Sequence, residues 1–198
     1  MAGLKKVAEA TLPTRFGKFT VHAFADGRKE HLALVKGNVH NRPNVLTRIH
    51  SQCLTGDTLG SLRCDCRQQL EMALRLIARS KRGILVYLKQ EGRGIGLANK
   101  IRAYALQDKG LDTAEANIAL GFKADERNYE VAGRILRLLG VRSVALLTNN
   151  PKKVEGLNGS GIRVAKRIPL QARLTRFNSS YLRTKKHKLH HLIDLEGN

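Results

Sequence analysis

From Arg67 to Ile168 the chain alternates helix-period segments with short continuous apolar runs, and this alternation most limits its fold. Leu70, Leu74 and Ile77 recur at helical spacing up to Ala78. Gly83 to Leu88 is an apolar run of the kind buried on both faces of a sheet. Ile95 to Gln107 reads as a second amphipathic helix, with Leu97, Ile101, Tyr104 and Ala105 on one stripe. Arg127 to Leu139 reads as a third, carrying Val131, Ile135, Leu138 and Leu139 and stopping at Gly140, a natural helix terminator. Val144 to Leu147 is another buried strand, and Arg163 to Ile168 a last one. Between them Asn150-Pro151 has the form of an N-cap followed by proline at the first helical position. Ahead of this region, Phe19 to Ala25, His31 to Val35 and Val45 to His50 read as strands between Gly, Asp and Asn-Arg-Pro breaks. Strands followed by alternating helices and strands predict an α/β fold: one compact domain with a mixed β-sheet flanked by helices.

The 198 residues suit one domain with an appendage, and 42% hydrophobic residues supply a normal core. Pro169 marks the expected end of the compact part, giving a compact domain over 1–170. A basic tail follows over 171–198, open to partial disorder. No apolar run is long enough to cross a membrane, and the N-terminus lacks the apolar stretch of a signal peptide, so a cytoplasmic location with reduced thiols is expected. Lys and Arg number 36 against 16 acids, a net charge of +20 that attracts polyanions of some kind. Much of the excess is local, because no acid lies between Glu155 and Asp194. Aromatic residues make up only 5% and include no Trp, which disfavours a base-stacking platform for single strands.

All 3 cysteines fall close together as Cys53, Cys64 and Cys66, a C-x10-C-x-C pattern. An odd count argues against a closed disulfide set. Three soft ligands suit a zinc ion with its fourth position open for a water. A structural zinc would want a fourth protein ligand, and a histidine such as His50 could supply it. Three buried thiols packed as small hydrophobes are the bland alternative; zinc is favoured on the spacing. Gln90-Glu-Gly-Arg-Gly-Ile-Gly96 joins a buried strand to a helix, where glycines and unpaired N–H groups can receive an anion and Arg93 can grip a phosphate with two bonds. Thr148-Asn-Asn-Pro-Lys-Lys153 ends another strand, at the carboxyl side where α/β sheets usually bind ligands. Lys153 opposes the helix dipole there and is easier to understand facing an anion, although most lysines are simply solvated. Asp125 is a plausible N-cap with Arg127 exposed behind it, and Tyr104 on its apolar stripe is most simply a core residue. Together these features suit a hydrolase acting on a phosphorylated compound.

Longer motifs narrow this. Arg48-Ile-His-Ser-Gln-Cys-Leu-Thr-Gly-Asp57 with Leu62-Arg-Cys-Asp-Cys66 resembles the zinc-site signature of the GTP cyclohydrolase II family. The likeness continues through Gln90 to Leu97, Lys100 to Asp108, Asp112 to Asn117, Leu120 to Tyr129 and Leu147 to Val154. It implies a reaction: GTP is opened at the imidazole ring, C8 leaves as formate and pyrophosphate is released. The product is 2,5-diamino-6-(5-phospho-D-ribosylamino)pyrimidin-4(3H)-one, made in the first step of riboflavin biosynthesis. It also implies one zinc per subunit, magnesium with the substrate phosphates, and a homodimer.

Residue by residue, the resemblance gives zinc to Cys53, Cys64 and Cys66, with the zinc water attacking C8. Arg48, Ile49, His50, Ser51 and Gln52 would line the nucleotide. Gln69 and Glu91 would read the guanine edge, with Gly92 and Arg93 in the same pocket, and Thr113, Thr148 and Lys153 would contact the nucleotide and its phosphates. Asp125 matches the proton acceptor, Arg127 the proposed nucleophile at the α-phosphorus, and Tyr104 the tyrosine tied to ring opening. A guanidinium is a poor nucleophile, so the rival role for Arg127 is to stabilise phosphoryl-transfer charge as pyrophosphate leaves. The sequence departs from the family pattern at Gln52, where Glu is usual, and at His190, where Gly is usual in an otherwise matching stretch from Asn178 to Leu192. The 198 residues leave no room for the dihydroxybutanone-phosphate synthase domain fused to many relatives. Competing readings are a relative that stops at the formamide intermediate, a degenerate non-catalytic member, and a zinc-stabilised nucleic-acid-binding module. The last explains the charge but gives no reason for Glu91, Asp125 or an open metal position, so nucleic acid is not the expected physiological partner.

Overall fold

The structure, a computed structural model, describes residues 3–195. By internal contacts the chain groups into two compact units. The first is built from the residues up to His50, Leu70–Lys89 and Asn128–Leu170; the second from Ser51–Gln69, Gln90–Arg127 and the residues from Gln171 on.

The first unit holds the predicted mixed sheet. Its strands are β1 (Lys5–Thr14), β2 (Gly17–Asp26), β3 (Lys29–Lys36), β4 (Val45–Ser51), β5 (Gly83–Leu88), β6 (Ser143–Leu147) and β7 (Arg163–Ile168), in the spatial order β1-β2-β3-β5-β4-β6-β7. Pairing is antiparallel from β1 through β2 and β3 to β5, and parallel among β4, β6 and β7. β5 is apolar throughout because both its faces are covered. Ile84, Val86 and Leu88 enter one cluster with Ile135 and Leu136 of α4 (Glu130–Leu138) and Leu157 of α5 (Pro151–Gly159). Leu85 enters the other with Ala73, Leu74 and Ile77 of α1 (Cys66–Arg79). The period-2 geometry of a strand sends alternate side chains to opposite layers. Full burial of each such side chain contributes about 1.5–3 kcal/mol.

The predicted punctuation is present. Asn150 caps α5, its side chain accepting from Lys152 N at 3.0 Å with Pro151 next in line. Gly140 follows α4 at φ +71°. Three elements lie outside the sequence reading: β1, α3 (Thr113–Ala119) and α6 (Ser179–His187). The third amphipathic segment starts later than its pattern, at Glu130, and Asp125 does not cap it; the N-cap is Tyr129, with no side-chain bond.

The second unit contains α2 (Leu97–Gln107), α3, α6 and short helical turns at Leu54–Thr58 and Glu91–Gly94. In α2 the buried residues are Lys100 and Ala103, while Leu97 and Ile101 of the predicted stripe are exposed. Among the described residues no helix is long and apolar enough to cross a membrane.

Candidate active site and metal centre

In the second unit the chain from Cys53 to Cys66 folds so that the Sγ atoms of Cys53, Cys64 and Cys66 lie within 4.8 Å of one another, and those of Cys53 and Cys64 at 3.7 Å. Sulfurs on a tetrahedral zinc at a Zn–S distance of ~2.3 Å stand roughly 3.8 Å apart, so the spacing fits that ion. Two local devices hold the loop. The Asp57 carboxylate accepts from Cys53 N at 3.0 Å. Gly56 leaves room for the sulfurs, because a Cβ there would sit 2.9 Å from Cys64 Sγ and 3.1 Å from Cys53 Sγ. Hydrogen bonds from Cys64 and Cys66 hold the Cys53 thiol well below its ordinary value, against burial. The same contact pushes Cys64 up to about 12, and Cys66 is raised as well. Charge concentrated on soft sulfur suits a soft or borderline cation. His50 does not complete the set: the metal-ligating group among the described residues consists of the three cysteines, and the His50 ring stacks on Tyr87 at 5.5 Å.

Around the sulfurs is a buried polar network. Lys100 Nζ, from α2, donates to Cys53 Sγ at 3.1 Å and to Glu91 Oε1 at 2.7 Å. Burial opposes its charge, but the Cys53 thiolate, the Glu91 bond and Tyr104 outweigh it and hold the ammonium above the ordinary lysine value. Glu91 also accepts from Leu54 N at 2.7 Å and Gly92 N at 3.1 Å. The carboxylate therefore ties the glycine turn to the cysteine loop, and about one of its roughly four acceptor directions is left. One turn beyond Lys100, the Tyr104 hydroxyl meets Thr55 Oγ1 at 3.0 Å, which in turn lies 3.8 Å from Cys53 Sγ. Burial pushes the Tyr104 phenol up.

The glycine turn has a second task. Glu126 N donates to Arg93 O at 3.0 Å, and at Gly94 (φ +99°) a Cβ would press on the Glu126 backbone at 3.1 Å. Glycine is required there for both reasons. Arg93 itself stands at φ +59°, a costly conformation for a side-chain-bearing residue. The close approach fixes the segment carrying Asp125 and Arg127, which form a two-pronged pair: Arg127 Nε to Asp125 Oδ1 at 2.8 Å and Nη2 to Oδ2 at 2.6 Å. Burial would raise the Asp125 carboxyl, but the Arg127 bonds and charge, with Arg93 behind them, hold it below the usual carboxylate value.

These groups open on a partly enclosed cavity. Its wall includes the three cysteines and, of the other sequence-predicted residues, Ser51, Gln52, Glu91, Gly92, Arg93, Tyr104, Thr113 and Arg127. Gln69 is buried and donates to Asp65 Oδ2 at 2.7 Å. Thr113 begins α3 behind Asp112, whose carboxylate accepts from Ala114 N and Glu115 N in a capping box.

The remaining predicted residues belong to the first unit, at the carboxyl ends of β4 and β6. Arg48 Nη1 donates to Leu147 O at 2.8 Å, and Lys153 Nζ donates to Ile49 O at 2.8 Å. Lys153 is buried rather than solvated. Thr148 Oγ1 accepts from Asn150 N at 3.0 Å, shaping the turn into α5.

Lys100, Asp65, Tyr181 and Lys185 were not singled out from the sequence. The spacing of Lys100 to Tyr104, one helical turn, was the available signal. Asp65 and Lys185 are 120 residues apart, and only folding shows that they meet.

An α/β sheet protein with three thiols at metal-ligand spacing, a buried lysine–carboxylate network and an arginine-lined cavity has the equipment of a hydrolase for an anionic substrate. The sequence profile of the GTP cyclohydrolase II family matches residues 5–169, and the chain belongs to that family. It is 57% identical over 195 residues to a GTP cyclohydrolase-2 of Actinobacillus succinogenes, covering 98% of this chain and 90% of the relative. It is 56% identical to the proteins of the same name from Histophilus somni and, over 196 residues, Haemophilus influenzae, covering 98% of this chain and 90% and 91% of those relatives. A looser likeness, with a TM-score of 0.47 and 21% identity, relates 87% of this chain to 41% of a solved two-domain 3,4-dihydroxy-2-butanone 4-phosphate synthase from A. baumannii; it decides nothing here.

Proposed function

We propose that this chain hydrolyses GTP to 2,5-diamino-6-(5-phospho-D-ribosylamino)pyrimidin-4(3H)-one, formate and pyrophosphate, as a GTP cyclohydrolase II of riboflavin biosynthesis. The observation that carries this reading is the meeting, on one cavity, of three thiols at metal-ligand spacing with Glu91, Arg93, Tyr104 and Arg127. Both bonds from C8 to nitrogen are hydrolysed, so that C8 leaves as formate, and the α–β phosphoanhydride is cleaved.

Cys53, Cys64 and Cys66 would hold zinc, which would supply Lewis acidity and an activated water. Lys100 donates to the Cys53 sulfur and holds Glu91 in place, leaving Glu91 one acceptor direction for the guanine edge. The Tyr104 hydroxyl, held on Thr55 beside Cys53, is placed to move a proton as the imidazole ring opens, which supports reaction through to formate rather than arrest at the formamide. The Asp125 carboxylate, ionised at neutral pH, orients Arg127; its role as proton acceptor follows the family resemblance. Two carboxylate bonds keep the guanidinium protonated, which supports Arg127 as a stabiliser of charge on the departing pyrophosphate rather than as a nucleophile. Magnesium with the substrate phosphates would follow the family resemblance. Arg48, Ile49, His50, Ser51, Gln52, Gln69, Gly92, Arg93, Thr113, Thr148 and Lys153 as nucleotide contacts, a homodimeric state and a cytoplasmic location follow the family resemblance.

The test is one assay. Zinc-loaded protein with GTP and magnesium releases formate and pyrophosphate in equal amounts, and Arg127→Ala lowers kcat by about 10²–10³-fold. Protein with one zinc per chain that yields no formate overturns the proposal. A phospho-arginine adduct trapped by rapid quench would overturn the non-covalent role of Arg127.

A further inference from the structure

The basic C-terminal segment is not a free tail. Asp65, between two of the cysteines, is 1% exposed, and both its carboxylate oxygens accept from Lys185 Nζ of α6, at 3.0 and 2.9 Å. Gln69 Nε2 supplies a third hydrogen bond at 2.7 Å. Lys185 is itself buried, as are Leu182 of α6 and Leu189 just after it. Lys188, at its end, pairs with Asp112 and with Glu115 at 2.7 Å, across the start of α3. The same helix puts Tyr181 in the cavity wall, its ring 5.6 Å below the Arg93 guanidinium and 5.3 Å from Lys185 Nζ.

We propose that α6 is part of the metal centre, with Lys185 a positioning residue that holds the Cys64-Asp65-Cys66 turn in ligand geometry by neutralising Asp65. The inference rests on the reading of the cysteine cluster as a zinc site. With zinc bound, three thiolates together with Asp57, Asp65 and Glu91 would crowd six negative charges about the cluster, and Lys100 and Lys185 would offset two of them. A buried carboxylate between two ligands, left without its cation, would turn toward water and take the ligand turn with it. Groups that orient metal ligands from behind are commonly worth about 10–100-fold in metal affinity.

The experiment uses the full zinc-loaded chain and measures zinc release to a chromogenic chelator at neutral pH, beside the thermal unfolding of each variant. Lys185→Met releases zinc about 10–100-fold faster than wild type. Asp65→Asn combined with Lys185→Met, which removes both charges, recovers most of that loss in zinc retention, as expected when the lysine acts by neutralising Asp65. If Lys185→Met does not fold, the double variant decides alone by retaining zinc within a few-fold of wild type. Release from Lys185→Met at the wild-type rate, or a double variant as leaky as the single, overturns the inference while wild type still binds one zinc per chain. A wild type that binds no zinc overturns the metal reading itself, and this inference with it.

Discussion

Replacing Lys100 by methionine removes one cation from a buried pair while keeping the helix and most of the side-chain volume. The Lys100 and Glu91 side chains are each 9% exposed and meet at 2.7 Å. Truncating one partner of a buried ion pair costs about 3–5 kcal/mol, because the remaining charge is left without compensation. Glu91 keeps its bonds from Leu54 N and Gly92 N, which places the expected cost near the lower end, about 3 kcal/mol. In a chain of this size each kcal/mol moves the melting temperature by about 2–4 °C, so zinc-loaded Lys100→Met should melt roughly 6–12 °C below wild type. Glu91→Gln and the double variant complete a cycle. With the lysine gone, the neutral amide costs less than it does in wild type, and a coupling of at least ~1 kcal/mol is expected for groups in direct contact. A Lys100→Met melting point within about 2 °C of wild type, or losses that simply add, would refute the view that this pair holds the glycine turn to the cysteine loop.

Two further outcomes concern pH and backbone strain. Burial holds the His31 pKa below its ordinary 6.5, and its Nδ1 accepts from Lys89 N at 3.1 Å, so the folded protein needs the neutral ring. The unfolded chain therefore takes up the proton first as pH falls below 6.5, and stability declines from there until the folded ring titrates too. His31→Gln, which keeps an acceptor, makes melting temperature fall less steeply between neutral and mildly acid pH; an unchanged slope counts against the assignment. His190 stands at φ +54°, where a side chain costs about 1–2 kcal/mol and glycine is free. Glycine also loosens the unfolded chain by about 0.4–1 kcal/mol, so His190→Gly should stabilise by roughly 0.5–1 kcal/mol, read as a higher urea midpoint at constant slope.

The same position explains one departure from the family pattern: glycine is usual there because the backbone turns left-handed after α6, and this chain carries histidine at a cost. Gln52 lies in the cavity wall beside Cys53, where the neutral amide leaves one negative charge fewer near the thiolates than the usual glutamate.

The sequence alone determined the alternation of sheet and helix, because a strand covered on both faces must be apolar at every position and an amphipathic helix must repeat near every 3.6 residues. It also determined the stops at Gly140 and Asn150-Pro151 and the grouping of three cysteines, since caps, terminators and ligand loops act over a few residues. β1 was not legible because nearly all its residues are exposed, and an edge strand without a buried face has no period-2 pattern. Of the other short elements, α3 offered only its Asp112-x-x-Glu115 capping box. What only the tertiary structure decided is which charges are buried and with whom. Lys100 sits among exposed-looking neighbours yet is buried because Glu91 and Cys53 face it, and Lys185, in the most basic stretch of the chain, is buried because Asp65 waits for it. A buried charge is set by its partner, and a partner 120 residues away leaves no local trace in the sequence.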